Sequence, residues 1–180
     1  MKILKTPLKD LLIIKSKQFY DDRGYFRELI REVNVKQKFV FNIVSFSKKN
    51  VVRGLHYQST KPQAKFISVV KGKILDVAVD LRKNSKTFGK HYKIILSAKN
   101  ETSVFIPAGF AHGFLSLESE NIVVYSCTNY RHKQSENGIL WNDKDLKIKW
   151  PLKKPIISKK DKLNPTFKDF KNDKKKDQNI

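Results

Sequence analysis

The sequence predicts an all-β domain, either a sandwich or a barrel of short strands. Short apolar segments, many of them alternating between apolar and polar residues, recur between turn signals from residue 40 to residue 130. No stretch in this region carries a helical apolar stripe of about ten residues or more. Short, numerous and closely spaced strands are typical of antiparallel sandwiches and barrels.

The predicted strands follow one another with a turn or a loop between neighbours. They cover residues 41–47, 65–70, 74–80, 91–96, 103–106, 109–117 and 122–128. Lys71-Gly72-Lys73 separates two of them and is expected to form a tight hairpin. Residues 83–85 and 98–101 are rich in turn-forming side chains, which predicts loops.

The length of 180 residues suits one domain that buries roughly 70% of the surface its unfolded chain exposes. We predict a single domain over residues 1–165. A lysine-rich tail over residues 166–180 is expected to be disordered, because it holds little to bury. The chain lacks both a bilayer-spanning apolar run and the apolar core of a signal peptide, and it has one cysteine, Cys127. These features predict a cytoplasmic protein without disulfides.

The formal charge of +21 comes mainly from lysines spread along the whole chain. The sequence has no helix with one basic face, and no alternation of basic and aromatic residues of the kind that stacks on nucleobases. We therefore predict that neither nucleic acid nor a membrane is a partner. The excess positive charge should instead attract a negatively charged metabolite.

The segment Arg-Gly-Leu-His-Tyr-Gln at residues 53–58 carries the first chemical signal. It places His56 three residues after Arg53. Imidazole titrates closer to neutrality than other side chains, so it suits proton abstraction, and a guanidinium can hold phosphate or carboxylate through two hydrogen bonds. The segment predicts a base beside an anion-binding group. A surface arginine and a structural histidine would explain it equally well.

The segment Ile-Pro-Ala-Gly-Phe-Ala-His-Gly-Phe at residues 106–114 places His112 on a strand between two phenylalanines. A histidine flanked by aromatic residues is more often packed in a core than functional. The spacing Pro-x-Gly-x-x-His nevertheless resembles the second signature of the cupins. The His-x-His pair of metal-binding cupins is absent around His56. The chain thus looks like a cupin-type double-stranded β-helix, or jelly roll, with short helices, a basic C-terminal arm and no metal.

Other side chains could support proton transfer. Lys65 could stabilise an enolate oxygen inside a barrel mouth, or it could be one of many exposed lysines. Tyr125 lies in an otherwise apolar strand, where a phenol could return a proton to a carbanion. Asp76 and Asp80 share one face of their strand, where a carboxylate either holds the tautomer of a base or is solvated.

Many segments between Phe19 and Asp161 resemble the dTDP-4-dehydrorhamnose 3,5-epimerase family. They are residues 19–26, 53–58, 69–72, 75–82, 87–90, 106–114, 138–143 and 158–161. So many matches in one order are far more specific than any single motif. The resemblance implies an isomerase that inverts C3 and C5 of a nucleotide-linked 4-keto-6-deoxy sugar. Its reaction would convert dTDP-4-dehydro-6-deoxyglucose to dTDP-4-dehydro-L-rhamnose.

The resemblance implies a role for each candidate residue and no cofactor, because the ketone at C4 of the substrate acidifies the neighbouring C–H bonds. His56 is expected to be the base, and Asp161 the carboxylate that supports it. Lys65 would steady the enolate oxygen, and Tyr125 would return the proton from the other side. The residues implied to bind the nucleotide sugar are Arg23, Glu28, Arg53, His112, Tyr130, Glu136 and Lys160.

The resemblance also implies a homodimer, in which an N-terminal arm with Arg23 and Glu28 reaches a nucleotide across a strand-exchanged interface. The family's thymine-reading Gln-x-Asn segment is replaced here by Phe41-Asn42-Ile43, and Arg131 replaces a second aromatic residue. The alternatives are therefore an epimerase acting at C3 or C5 alone, or one acting on another nucleotide sugar. A non-catalytic cupin binding protein and a metal-dependent cupin are further alternatives.

Overall fold

The computed structural model describes residues 1–173, and most of its regular structure is antiparallel strand. The strands are β1 Lys2–Lys5, β2 Leu12–Lys15, β3 Phe19–Asp21, β4 Gly24–Phe26, β5 Phe41–Lys48, β6 Val52–Gln58, β7 Lys65–Lys71, β8 Lys73–Asp80, β9 His91–Ser97, β10 Thr102–Ile106, β11 Phe110–Ser116, β12 Glu120–Cys127 and β13 Glu136–Gly138. The α-helices are α1 Glu32–Val35, α2 Lys159–Lys162 and α3 Phe167–Asn172, and a 3₁₀ helix covers Lys133–Ser135. Every strand predicted from the sequence is present, and its ends lie within two residues of the predicted ones.

Two antiparallel sheets make up the domain. The six-stranded sheet has the order β1-β2-β10-β7-β12-β5, and the five-stranded sheet has the order β13-β6-β11-β8-β9. A core cluster joins their inner faces, with Val69 and Val123 from the first sheet and Ile74 and Phe114 from the second. This arrangement confirms the predicted cupin-type jelly roll. The strands β3 and β4 form a separate hairpin.

The predicted hairpin at Lys71-Gly72-Lys73 is wrong. The chain instead crosses from one sheet to the other at Gly72, which has a φ of 79°. β7 pairs with β10 and β12, whereas β8 pairs with β9 and β11. Both edges of each strand are therefore already occupied, so the two strands cannot pair with each other.

The C-terminal segment covers the outer face of the five-stranded sheet. Phe167 and Phe170 of α3 belong to a buried cluster with strand residues such as Tyr57, whose ring meets that of Phe170 edge-on at 5.6 Å. The side chain of Thr166 caps α3 in a capping box with Asp169. The predicted boundary at residue 166 is thus corrected, because residues 166–172 pack on the domain. Residues 174–180 of the predicted tail lie outside the described residues.

No helix within residues 1–173 is long and apolar enough to cross a membrane.

We expect the Phe170→Ala substitution to lower the free energy of unfolding by about 3–5 kcal/mol, because the ring is 1% exposed and its removal leaves a cavity. The exposed neighbour Lys168 offers a matched control in the same helix. Its replacement by alanine should change the free energy by less than about 0.5 kcal/mol. Urea unfolding measures both. Equal effects of the two substitutions would show that α3 does not stabilise the domain.

Candidate active site

The inner sheet faces enclose a cavity of about 420 Å³. Six of the candidate residues line it: Arg53, His56, Lys65, His112, Tyr125 and Glu136. On β6, Arg53 and His56 are three residues apart and still line the same cavity, because the pairing of β6 with β11 shifts register between His112 and Phe114. Elsewhere the alternation of strand side chains explains which residues face the cavity, since residues two apart on a strand share a face. On β11, for example, Phe110, His112 and Phe114 alternate with Ala111 and Leu115, which join the cluster on the outer face.

The two histidines lie side by side because β6 and β11 approach closely. His56 is directly opposite His112 in the register of the two strands. A Cβ atom on Gly54 would lie 2.7 Å from the Cα atom of Gly113, and one on Gly113 would lie 2.6 Å from the carbonyl oxygen of Arg53. Only glycine fits this contact, and the φ of 115° at Gly54 also favours glycine.

His56 is held by a buried carboxylate. Its Nε2 lies 2.7 Å from Oδ1 of Asp161, whose other oxygen accepts the backbone N–H of Gly54 at 3.2 Å. Ser158 caps α2 and accepts the backbone N–H of Asp161. Burial opposes ionisation of Asp161, but the hydrogen bonds from His56 and Gly54 outweigh it and hold its pKa below the usual value. This arrangement fixes the orientation of the His56 imidazole and keeps Asp161 ionised beside it.

His112 forms a second histidine–carboxylate pair, with its Nε2 2.7 Å from Oδ2 of Asp76. Both side chains are buried. The sequence left open whether Asp76 and Asp80 support a base or face solvent. Asp76 supports His112, whereas Asp80 accepts hydrogen bonds from Arg82 and from the hydroxyl groups of Ser85 and Thr87.

Tyr125 and Lys65 complete the polar part of the cavity. The hydroxyl groups of Tyr125 and Ser45 are 3.1 Å apart, and the Tyr125 ring lies edge-on to His112 at 6.1 Å. Burial raises the pKa of Tyr125, so its phenol stays protonated and able to donate. Burial lowers the pKa of the Lys65 ammonium, although Cys127, Glu136 and Asp76 oppose that shift.

A second cavity of about 370 Å³ borders the first near His56. Arg53, His56, Arg131 and Glu136 line both cavities, while Lys160 and Asp161 line the second alone. Arg53 is held in place from the strand before it, since it donates to the Ser47 hydroxyl and to the Phe46 carbonyl, each at 2.9 Å. The boundary between the two cavities, with Arg53 and Arg131, carries most of the positive charge of the inner cavity.

Arg23, Glu28 and Tyr130 do not line either cavity. Arg23 is 90% exposed and pairs with Asp21, and Glu28 pairs with Arg31 near the surface. Tyr130 is 69% exposed, and its ring lies 5.9 Å from that of Phe41. A single chain therefore gathers eight of the eleven candidate side chains around the two cavities, and leaves these three outside.

One wall of the inner cavity is apolar. Phe41 and Ile43 line this wall. They stand where the family that the sequence resembles has the two amide side chains of its Gln-x-Asn segment. The amide of Gln63 also lines the cavity, but its nitrogen already donates to the carbonyl of Asn129. Sequence reasoning missed Ser45 and Gln63. The alternation of β5, which puts Ser45 on the face of Phe41 and Ile43, could have indicated the serine.

The described part of the chain, residues 1–173, gathers no group of three His, Cys, Asp or Glu side chains that could hold a metal ion. A double-stranded β-helix with two carboxylate-paired histidines, a lysine and a protonated tyrosine lining one cavity defines a cupin-type protein equipped for proton transfer.

Comparison with known proteins identifies the family within this class. The family model for dTDP-4-dehydrorhamnose 3,5-epimerase matches residues 5–169. The dTDP-4-dehydrorhamnose 3,5-epimerase of Methanothermobacter thermautotrophicus is 45% identical over 169 residues, which cover 89% of this chain and 91% of that protein. The chain belongs to the dTDP-4-dehydrorhamnose 3,5-epimerase family, as its motifs had indicated.

Two solved structures extend the comparison. A dTDP-6-deoxy-D-glucose-3,5-epimerase from Legionella pneumophila, in complex with dTDP-4-keto-L-rhamnose, is 41% identical with a TM-score of 0.88, and the match covers 92% of each chain. A 3'-monoepimerase from Streptomyces bikiniensis, in complex with dTDP-quinovose, is 30% identical with a TM-score of 0.83. That match covers 89% of this chain and 85% of the other.

The Asp161 carboxylate should make stability depend on pH on the acid side. Its pKa is lowered in the folded chain, so its ionised form stabilises the fold above the unfolded-state pKa of about 3.9. That stabilisation is lost as pH falls through the folded-state pKa. The difference in unfolding free energy between the wild type and Asp161→Asn should therefore shrink as the pH falls below the unfolded-state value of about 3.9.

Urea unfolding at several pH values measures this difference, and Asp145→Asn, at an exposed carboxylate, is the control. A difference that stays constant over the whole range would contradict the assignment of Asp161 as an ionised partner of His56.

Proposed function

We propose that this protein converts dTDP-4-dehydro-6-deoxyglucose to dTDP-4-dehydro-L-rhamnose by inverting the configuration at C3 and C5. One observation carries the proposal: a single cavity brings together His56, supported by Asp161, with Lys65 and Tyr125. Family membership and the Legionella pneumophila complex with dTDP-4-keto-L-rhamnose support the dTDP sugar as substrate. A cytoplasmic location remains a prediction from the sequence.

His56 is the base in this mechanism. Its imidazole removes the proton from the carbon next to the C4 ketone, and the C–H electron pair moves through the new C=C bond to the ketone oxygen, which becomes an enolate. Asp161 fixes the orientation of the ring and stabilises the imidazolium that forms. The ketone of the substrate supplies the acidity, so no cofactor is required.

Lys65 and Tyr125 serve the two ends of the enolate. The Lys65 ammonium lies in a largely desolvated position, where its attraction to the developing oxyanion is stronger than in water. Tyr125 donates its proton to the carbon from the face opposite His56, and the resulting phenolate recovers a proton from solvent. Ser45 orients the hydroxyl for that transfer. His56 releases its proton to solvent, and the same cycle at the second carbon then completes the reaction.

The nucleotide extends from the sugar towards the boundary of the two cavities. Arg53 binds the diphosphate there, because its guanidinium is fixed by Ser47 and Phe46 and lines both cavities. The apolar wall of Phe41 and Ile43, with the nearby Tyr130, packs against the nucleobase. Glu136 and Lys160 line the passage.

The proposal includes a homodimer. The hairpin of β3 and β4 exposes Phe19, Tyr20, Tyr25 and Phe26, which are between 49% and 72% exposed. Large apolar side chains grouped in this way are typical of interaction surfaces. Because Arg23 lies on the same hairpin and outside this chain's own cavities, its substrate contact would be made in the site of the partner.

The proposed reaction is tested by incubating the protein with dTDP-4-dehydro-6-deoxyglucose in deuterated water and following C3 and C5 by NMR. Deuterium at both carbons supports the 3,5-epimerase. Deuterium at one carbon supports the single-site alternative, which the similarity to the Streptomyces bikiniensis 3'-monoepimerase keeps open. Absence of exchange at both carbons would overturn the proposal.

We expect His56→Ala to abolish deuterium exchange at both carbons, because no carbanion forms without the base. Tyr125→Phe should lose net epimerisation but retain some exchange, since the carbanion can be reprotonated from the face of His56. Each substitution should slow turnover by about 10²- to 10⁴-fold. Tyr92→Phe, at a tyrosine outside the cavity, is the control. Equal and small effects at His56 and Tyr125 would contradict the roles.

The homodimer is tested by mixing two impaired variants, Arg23→Ala and His56→Ala. A mixed dimer contains one site with an intact His56 and an intact Arg23 from the other subunit. Random exchange should therefore restore about a quarter of wild-type activity. An activity equal to the mean of the separate variants, or a monomeric mass by light scattering at micromolar concentration, would contradict the dimer.

A further inference from the structure

Arg131, Glu136 and Lys160 form an ion cluster at the boundary of the two cavities. The same oxygen of Glu136, Oε2, accepts a hydrogen bond from Arg131 at 2.7 Å and one from Lys160 at 3.1 Å. Burial opposes ionisation of Glu136, but these two cations outweigh it and lower the pKa of the carboxyl. Glu136 is therefore an anion that holds two cations in place.

The cluster carries more positive than negative charge. Arg131 and Lys160 carry two positive charges against the one negative charge of Glu136, and Arg53 adds a third positive charge beside the cluster. Asp161, the other carboxylate of the second cavity, is already hydrogen-bonded to His56 and does not pair with these cations. The boundary thus keeps unbalanced positive charge where a passing polyanion would meet it.

Arg131 can exchange its partner at little cost. Its side chain is 58% exposed, and that of Lys160 is 59% exposed, so both can turn towards a ligand without unpacking the core. A diphosphate presents more acceptor oxygens and more negative charge than a single carboxylate, and a guanidinium binds two of those oxygens in parallel. A neutral nucleobase can stack on a guanidinium plane, but it would leave the excess positive charge of this boundary unbalanced, whereas a diphosphate balances it.

We propose that Arg131 is a diphosphate-binding residue that determines affinity for the nucleotide, and that Glu136 is the counter-ion it leaves when the nucleotide binds. This inference rests on the proposed function, because it places the diphosphate of the same substrate at the boundary of the two cavities. In the sequence, Arg131 was notable only because it replaces an aromatic residue. Here it has a function of its own, which is to bind the diphosphate. Glu136 positions the guanidinium before the substrate arrives.

The experiment compares Arg131→Ala and Arg131→Lys with Lys133→Ala, which removes an exposed charge two residues away and outside both cavities. Calorimetry measures the binding of dTDP and of thymidine, which lacks the phosphates, at low and high salt. Steady-state kinetics with the dTDP sugar gives KM and kcat. Thermal unfolding checks that each variant is folded.

We expect Arg131→Ala to weaken dTDP binding about five- to tenfold, at the low end for a charge-assisted hydrogen bond because the site is partly exposed. The KM should rise by a similar factor while kcat changes less than about twofold. Thymidine binding should stay unchanged, the salt dependence of dTDP binding should decrease, and Arg131→Lys should be intermediate.

An Arg131→Ala affinity for dTDP equal to that of Lys133→Ala would overturn the inference and leave the proposed function standing. An equal loss for thymidine and dTDP would also overturn it, because Arg131 would then contact the base. A wild-type protein that neither binds dTDP nor turns over the sugar would remove the proposed function itself.

Discussion

The close contact of β6 with β11 is the constraint on which the geometry of the site depends. Gly54 and Gly113 let the two backbones approach until no side chain fits between them. This contact puts His56 opposite His112 and points the N–H of Gly54 at Asp161. The two histidine–carboxylate pairs are therefore positioned by backbone packing rather than by flexible loops, which keeps the proton-transfer groups in fixed relation.

The C-terminal segment with α2 and α3, residues 158–172, contributes both to the stability of the domain and to the geometry of the site. It buries Phe167 and Phe170 against the outer face of the five-stranded sheet and delivers Asp161 to the inner site through the short helix α2. The sheet is consequently buried on both faces, which explains why almost every residue of β8 is buried. Packing on one face of the sheet and orientation of the base on the other depend on the same stretch of chain.

Alternation and turn signals predicted seven of the thirteen strands within residues 1–173, because these seven are short and bounded by polar or turn-forming residues. The other six strands, which include β6 with Arg53 and His56, do not alternate strictly between buried and exposed residues, so these signals did not indicate them. The signals also did not predict which sheet each strand joins, so the crossing at Gly72 was mistaken for a hairpin. The sequence did not predict the helix α3, because Phe167 and Phe170 are its two apolar residues and lie among charged ones. His56 and His112 were found from their motifs. The Ser45–Tyr125 and His112–Asp76 contacts depend on strand register, which the sequence does not display.

The apolar wall of Phe41 and Ile43 has a consequence for how this site can change over time. Both side chains lie on β5, an edge strand that contributes none of the groups proposed to move protons. A substitution at either position can add or remove a polar contact to the base without shifting β6 or β11. Selection for a new nucleotide can therefore act on this edge strand while His56 and His112 keep their positions on β6 and β11.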